Sequence, residues 1–141
     1  MRPPHIAILL TAAGTLPFLI GAAMILGFWP GEGRALIVAY GVVILSFMSG
    51  VLWGFASRSG GGAPWAYVLS VMPALYAFFF ALRHPWALEG QAIAHLIAGF
   101  IGVLVLDAVY LAKGLAPRWW LVLRLPASAV VLACLWIARH A

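Results

Sequence analysis

Five stretches of roughly twenty residues, almost free of charge, leave this chain few ways to fold. Residues 6–28, 35–57 and 64–82 contain no Asp, Glu, Lys or Arg; 87–112 holds only Glu89 and Asp107, and 119–138 only Arg124. Lipid offers a backbone amide no partner, so apolar stretches of this length are read as helices that satisfy their own amides while crossing a bilayer. The expected fold is all-α: a polytopic membrane bundle of five transmembrane helices at about 6–28, 35–57, 64–82, 87–112 and 119–138. Little chain remains for anything else, so 1–141 is expected to be a single integral-membrane domain. Only 8% of residues are charged and mean hydropathy is +1.11, against about 25% charged in a soluble domain.

The formal charge is +5. Its basic residues are scattered singly among turns and helix ends, with no basic run or stripe, so nucleic acid is not an expected partner. Lipid is, and beyond it other membrane subunits or a second copy. An odd number of spans puts the two ends on opposite sides. Arg2, Arg58, Lys113, Arg118 and Arg124 then share one side against Arg34, Arg83 and Arg139 on the other, which predicts N-in, C-out. A cleaved signal peptide is the rival reading of the first span, with Arg2 ahead of it and Gly21-Ala22-Ala23 within it, but the run is longer than a usual signal core.

Proline and glycine mark the turns at Trp29-Pro30-Gly31, Gly60-Gly61-Gly62, His84-Pro85 and Gly114 to Pro117. The glycines at 60–62 lack the Gly-Lys-Ser/Thr ending and preceding strand of a phosphate loop. Pro17 and Pro73 lie inside spans and predict kinks, with Thr11, Thr15 and Ser70 near enough to help the freed backbone. Ser46, Gly50 and Gly54 recur every four residues and predict a narrow face on the second helix. Ala94, Ala98 and Gly102 do the same on the fourth. The two stripes are expected to pack on each other, with the second helix as the central post. In the run Tyr76 to Phe80, three successive Phe cannot share one helix face, so some are expected to meet lipid. No internal repeat supports an inverted-repeat transporter.

Ionisable groups at membrane depth are the candidates for chemistry. Asp107 lies six residues before Lys113 and Arg124 five after Trp119, which in an antiparallel hairpin places both roughly 7–9 Å inside the same end. An intramembrane ion pair is expected, with bidentate geometry open to it. It reads first as a clasp between the last two helices, and second as a proton- or ligand-handling site. His95, with His84 on the same predicted side and Tyr76 nearby, is the remaining ligand candidate. Glu89 and His95 are six apart, not the three or four of a ligand pair, and no metal or haem is expected. Cys134 stands alone, so neither a disulfide framework nor a Cys-rich metal site fits one chain. The span serines Ser46, Ser49, Ser70 and Ser128 have no base near them in sequence, and no catalytic set or cofactor is expected.

Several pieces together resemble the transmembrane-protein-69-like proteins, grouped as a domain of unknown function in bacteria and mitochondria. They are Leu16-Pro17-Phe18, then Ala39-Tyr40-Gly41 through Ile44-Leu45-Ser46-Phe47 to Gly50-Val51 and Trp53-Gly54, and Leu69-Ser70-Val71-Met72-Pro73-Ala74-Leu75. Asp107 followed by Pro117-Arg118-Trp119-Trp120 and Leu123-Arg124 completes the pattern. Members of that family often carry a polar residue, commonly His, where this chain has Leu52. The resemblance implies a bacterial or mitochondrial inner-membrane location and no settled activity.

Three functions follow as expectations. The first is a non-enzymatic accessory, assembly or stabilising component of a larger membrane complex. The second is a small proton or solute transporter using Asp107. The third is a quinone- or lipid-binding membrane enzyme built around His84, His95 and Tyr76.

Overall fold

Each apolar stretch satisfies its own amides as helix, and among the described residues the expected turns at Pro30 and at Gly114 to Pro117 are found between helices, while the expected turn at His84-Pro85 lies outside those residues. The computed structural model describes residues 2–58, 60, 63–82 and 89–141, with Glu89 described in its backbone alone. The elements are α1 (His5–Gly14), α2 (Leu16–Ile25), α3 (Gly33–Arg58), α4 (Pro64–Tyr76), a π-helical turn (Ala77–Ala81), α5 (Glu89–Ala112) and α6 (Trp120–His140). They form five spans long and apolar enough to cross a membrane, α1 with α2 making one and α4 with the π turn another. No strand occurs among the described residues.

At Pro17 the first span breaks between α1 and α2. A proline lacks the amide that would continue the ladder, and Thr15 tightens the last turn of α1 instead. Its hydroxyl and its amide both donate to Ala12 O, at 2.7 and 3.1 Å. From α3, the Tyr40 hydroxyl donates to Gly14 O at 2.9 Å. The span then stops at Ile25 because Gly27 takes φ +87°. The Gly27 amide returns to Met24 O and the Phe28 amide to Ala23 O at 2.9 Å, the paired bonds of a Schellman end.

Helix α3 touches α2, α4, α5 and α6. It turns Ile37, Gly41, Leu45, Met48, Ser49, Leu52 and Ala56 inward. This corrects the expected packing between α3 and α5. Ser46, Gly50 and Gly54 face outward, as do Ala98 and Gly102, while Ala94 is half-buried. A Cβ added at Gly50, Gly54 or Gly102 would meet nothing within 4 Å. A helix with four neighbours must fill the space between them, and a row of Gly and Ser facing inward would leave voids. The close approaches are made elsewhere. Leucines fill the gaps left by glycines, with Leu96 against Gly41 and Leu45 against Gly99. Helices α2 and α3 cross at Gly21 and Gly33, where a Cβ on Gly21 would lie 2.5 Å from Ile37 and one on Gly33 would strike Gly21 O.

The core centres on Phe18, Ile37, Leu45, Leu96, Phe100 and Leu135. Phe18 is wholly buried, its ring edge-on to Tyr40 at 5.1 Å and to Phe100 at 5.8 Å. In the third span the π turn, marked by the Leu82 amide on Ala77 O at 3.0 Å, buries Ala77 and Ala81 and leaves all three Phe exposed. Helix α6 accommodates Pro126 without ending. At one end of the bundle Arg34 Nε donates to Ala138 O at 3.0 Å and Arg139 Nη1 to Gly90 O at 2.7 Å. The first of these contacts sets a cation at the C-terminus of α6, where the helix dipole favours it.

Candidate functional site

The turn between α5 and α6 fixes the register of the site. Gly114 takes φ +75°, its amide bonds Leu111 O at 3.0 Å, and the Leu115 amide bonds Tyr110 O at 2.9 Å. That is a second Schellman end, and it sends the chain back through Pro117 into α6. Asp107 and Arg124 thereby meet inside the bundle, 0% and 8% exposed. Arg124 Nε donates to Asp107 Oδ2 at 3.0 Å. Trp120, one turn earlier on α6, donates its indole Nε1–H to Asp107 Oδ1 at 2.9 Å.

Because Trp120 occupies one carboxylate oxygen, the guanidinium reaches the other through Nε, and the fork-on-fork contact open to the sequence is not formed. The Arg124 Cζ lies 6.0 Å from the Trp120 ring centroid, and Phe55 of α3 meets that ring edge-on at 5.0 Å. Three helices therefore hold one carboxylate and its partners.

Two polar atoms beside this network have no hydrogen-bond partner among the described residues: Arg124 Nη2 and Ser128 Oγ. Ser128 follows Arg124 by four residues, so the two share a face of α6. Other helical serines are engaged. Ser46 donates to Val42 O, Ser57 to Trp53 O and Ser70 to Tyr67 O, while Ser49 accepts from an α4 amide. Arg124 and Ser128 both line a cavity of about 320 Å³ that reaches from Phe18 and Phe100 in the core to Leu10 and Phe47. Leu10 and Phe47 are 63% and 64% exposed, so the cavity opens on the apolar outer surface. Part of its wall is α1, which has no buried residue of its own. A second cavity, also about 320 Å³, lies between α1 and α6, lined by Ile8, Thr15 and Pro126 among others.

The family model described as "Protein of unknown function (DUF3429)" matches residues 3–139. The chain belongs to the DUF3429 family. No curated protein and no solved structure matches it.

The remaining candidates in this DUF3429 chain lie apart from Asp107. His95 precedes it by twelve residues on α5, roughly 18 Å along the helix. The Tyr76 hydroxyl and His95 Nδ1 are 3.1 Å apart, and Phe80 stacks on Tyr76 at 5.0 Å. Tyr76 also lines a groove between α4 and α5 whose floor includes Gly99 and Gly102. His84 lies outside the described residues. Among the described residues no three His, Cys, Asp or Glu side chains gather as a metal would require. Sequence reading passed over Trp120 as a partner of Asp107 and Ser128 as a neighbour of the pair. The four-residue spacing Trp120, Arg124, Ser128 on one helix was the available signal.

Proposed function

We propose that this DUF3429 protein is a non-enzymatic component of the inner membrane that binds a lipid-soluble molecule, admitted sideways from the bilayer into the cavity beside Arg124. One observation carries the reading: two buried polar atoms on one face of α6, Arg124 Nη2 and Ser128 Oγ, lack partners among the described residues, and both residues line the same apolar cavity. Buried polar groups are nearly always paired, and an unpaired one costs free energy unless something in the cavity answers it. Binding sites share this make-up, apolar walls with a few converging polar groups and volumes of about 300–1,000 Å³. Asp107 is not assigned a transport role, since both its oxygens are already engaged. The inner-membrane location follows the resemblance to transmembrane-protein-69-like proteins.

The test is extraction and mass analysis of small molecules held by protein purified in lipid nanodiscs, compared with the cavity-filling variant Ala127→Leu. The wild-type protein is expected to carry a lipid-soluble molecule enriched over bulk lipid, and the variant to lose it. Equal content in both overturns the reading.

A second reading, an accessory role in a larger membrane assembly, is favoured by the outward row of Ser46, Gly50 and Gly54. Small residues let a partner helix approach closely in lipid, and the space over both glycines is open. Gly50→Leu is then expected to abolish recovery of a stoichiometric partner after mild solubilisation while leaving the protein folded. Unchanged recovery overturns it.

A further inference from the structure

The charges around the cavity say what kind of head group it takes. Among the described residues Asp107 and Arg124 are the charged side chains buried in the bundle, and they face each other at 3.0 Å, so the site closes electrically neutral. An anionic head group would bring one uncompensated negative charge into apolar surroundings, which costs far more than a hydrogen bond returns. A donor head group fares little better. Guanidinium only donates, and both Asp107 oxygens are already engaged by Trp120 and Arg124, so a head group that only donates could use the Ser128 hydroxyl alone and would leave Arg124 Nη2 unanswered. What remains on offer is an N–H from Arg124 Nη2 and the hydroxyl of Ser128. A carbonyl oxygen carries two lone pairs and accepts two such bonds without adding charge.

We propose that the cavity selects a lipid-soluble molecule with a neutral carbonyl head, whose oxygen accepts from Arg124 Nη2 and Ser128 Oγ while Phe18, Phe100 and Trp120 wall its apolar body. This rests on the ligand-binding reading above. An ester lipid and a quinone both present that chemistry. At about 320 Å³ the cavity holds a head and the first part of a tail, and the rest of the tail leaves past Leu10 and Phe47 into the bilayer. Asp107 acts through Arg124 as a positioning residue: it cancels the guanidinium charge and so sets the preference for neutral over anionic heads.

The experiment compares a matched pair, methyl dodecanoate and dodecanoate at mildly alkaline pH, with a decyl-substituted benzoquinone as the third probe. Each is offered to the intact protein in detergent micelles, and the retained fraction is read by native mass spectrometry. At least one neutral probe is expected to be retained roughly tenfold or more over dodecanoate, and the stronger of the two identifies the source as ester or quinone. Ser128→Ala is expected to lower retention of the neutral probe by about three- to tenfold, one hydrogen bond's share, without raising that of dodecanoate. Asp107→Asn is expected to reverse the order in favour of dodecanoate. The wild-type comparison and Ser128→Ala decide the matter even where Asp107→Asn does not fold. Dodecanoate retained as well as the neutral probes on the wild-type protein overturns the inference and leaves the ligand-binding reading standing. Retention of no probe overturns both.

Discussion

Ser49 Oγ on α3 accepts the amide N–H of Ala74 on α4 at 2.8 Å, directly after Pro73. Proline's ring pushes away the preceding turn and loosens the helix around it. In lipid an amide released this way has no water to turn to, so a side chain from a neighbouring helix must take it. The two spans are thereby joined by a bond made at the proline that α4 carries within it.

Ser49→Ala should therefore destabilise the protein by about 1–3 kcal/mol, the range for a buried donor left unpaired. In Pro73→Ala the intrahelical bond can re-form, so the same serine change should matter much less there. Thermal unfolding in detergent of the four proteins in this cycle measures the difference. Equal losses in both backgrounds would show that Ser49 does not serve the proline.

Glycine positions separate inward from outward faces. Gly21→Ala should cost about 1–3 kcal/mol, because the new methyl is driven into Ile37 where α2 and α3 cross. Gly50→Ala and Gly54→Ala meet open space and should be neutral or stabilising by about 0.5–1 kcal/mol through helix propensity. Denaturant unfolding in micelles orders the three. Losses at Gly50 and Gly54 matching that at Gly21 would place the small stripe inside the bundle after all.

That contrast marks what the sequence conveys. The number of spans and their rough limits depend on uninterrupted apolar length, a local property, and they are legible from the chain alone. Which face of α3 turns inward is not. A soluble helix advertises its buried side by polar contrast, but lipid accepts Phe47 as readily as the core accepts Leu45, so the pattern carries little signal. The row of Ser46, Gly50 and Gly54 suggested an inward face, and volume filling decided otherwise. The candidate site was legible in part. Counting residues from the turn puts Asp107 and Arg124 at one depth, but counting does not reveal that Trp120 takes the second carboxylate oxygen. Nor does it reveal that Ser128, unlike Ser46 and Ser57, makes no bond to a carbonyl of its own helix.

Orientation is expected to follow the loop charges. With Arg124 buried against Asp107, it no longer counts as a loop charge. The balance expected from sequence becomes Arg2, Arg58, Lys113 and Arg118 against Arg34, Arg139 and Arg83, the last outside the described residues, and still favours the N-terminal side as cytoplasmic. A cysteine-accessibility tag in the turn at Gly60 should read cytoplasmic, and one in the turn at Pro30 should read the opposite side. Arg58→Ala combined with Arg118→Ala should give mixed insertion. A single fixed orientation in that double variant would mean the charges do not set it.

The network around Asp107 should show strong asymmetry between its members. Removing one partner of a buried pair strands the other charge, at about 3–5 kcal/mol, whereas removing both leaves a neutral site. Asp107→Ala should therefore be far worse than Asp107→Ala with Arg124→Leu, even though the double variant loses more contacts. Trp120→Phe keeps the ring against Phe55 and loses only the indole donor, so its cost should be about 1.5–3 kcal/mol, as for a hydrogen bond to a charged group. In the Asp107→Ala background the same tryptophan change should cost little, since the oxygen it served is gone. Thermal unfolding in nanodiscs across the cycle reads the coupling. A double variant no more stable than Asp107→Ala would mean that Arg124 is solvated without its partner, and that the clasp does not hold α5 to α6.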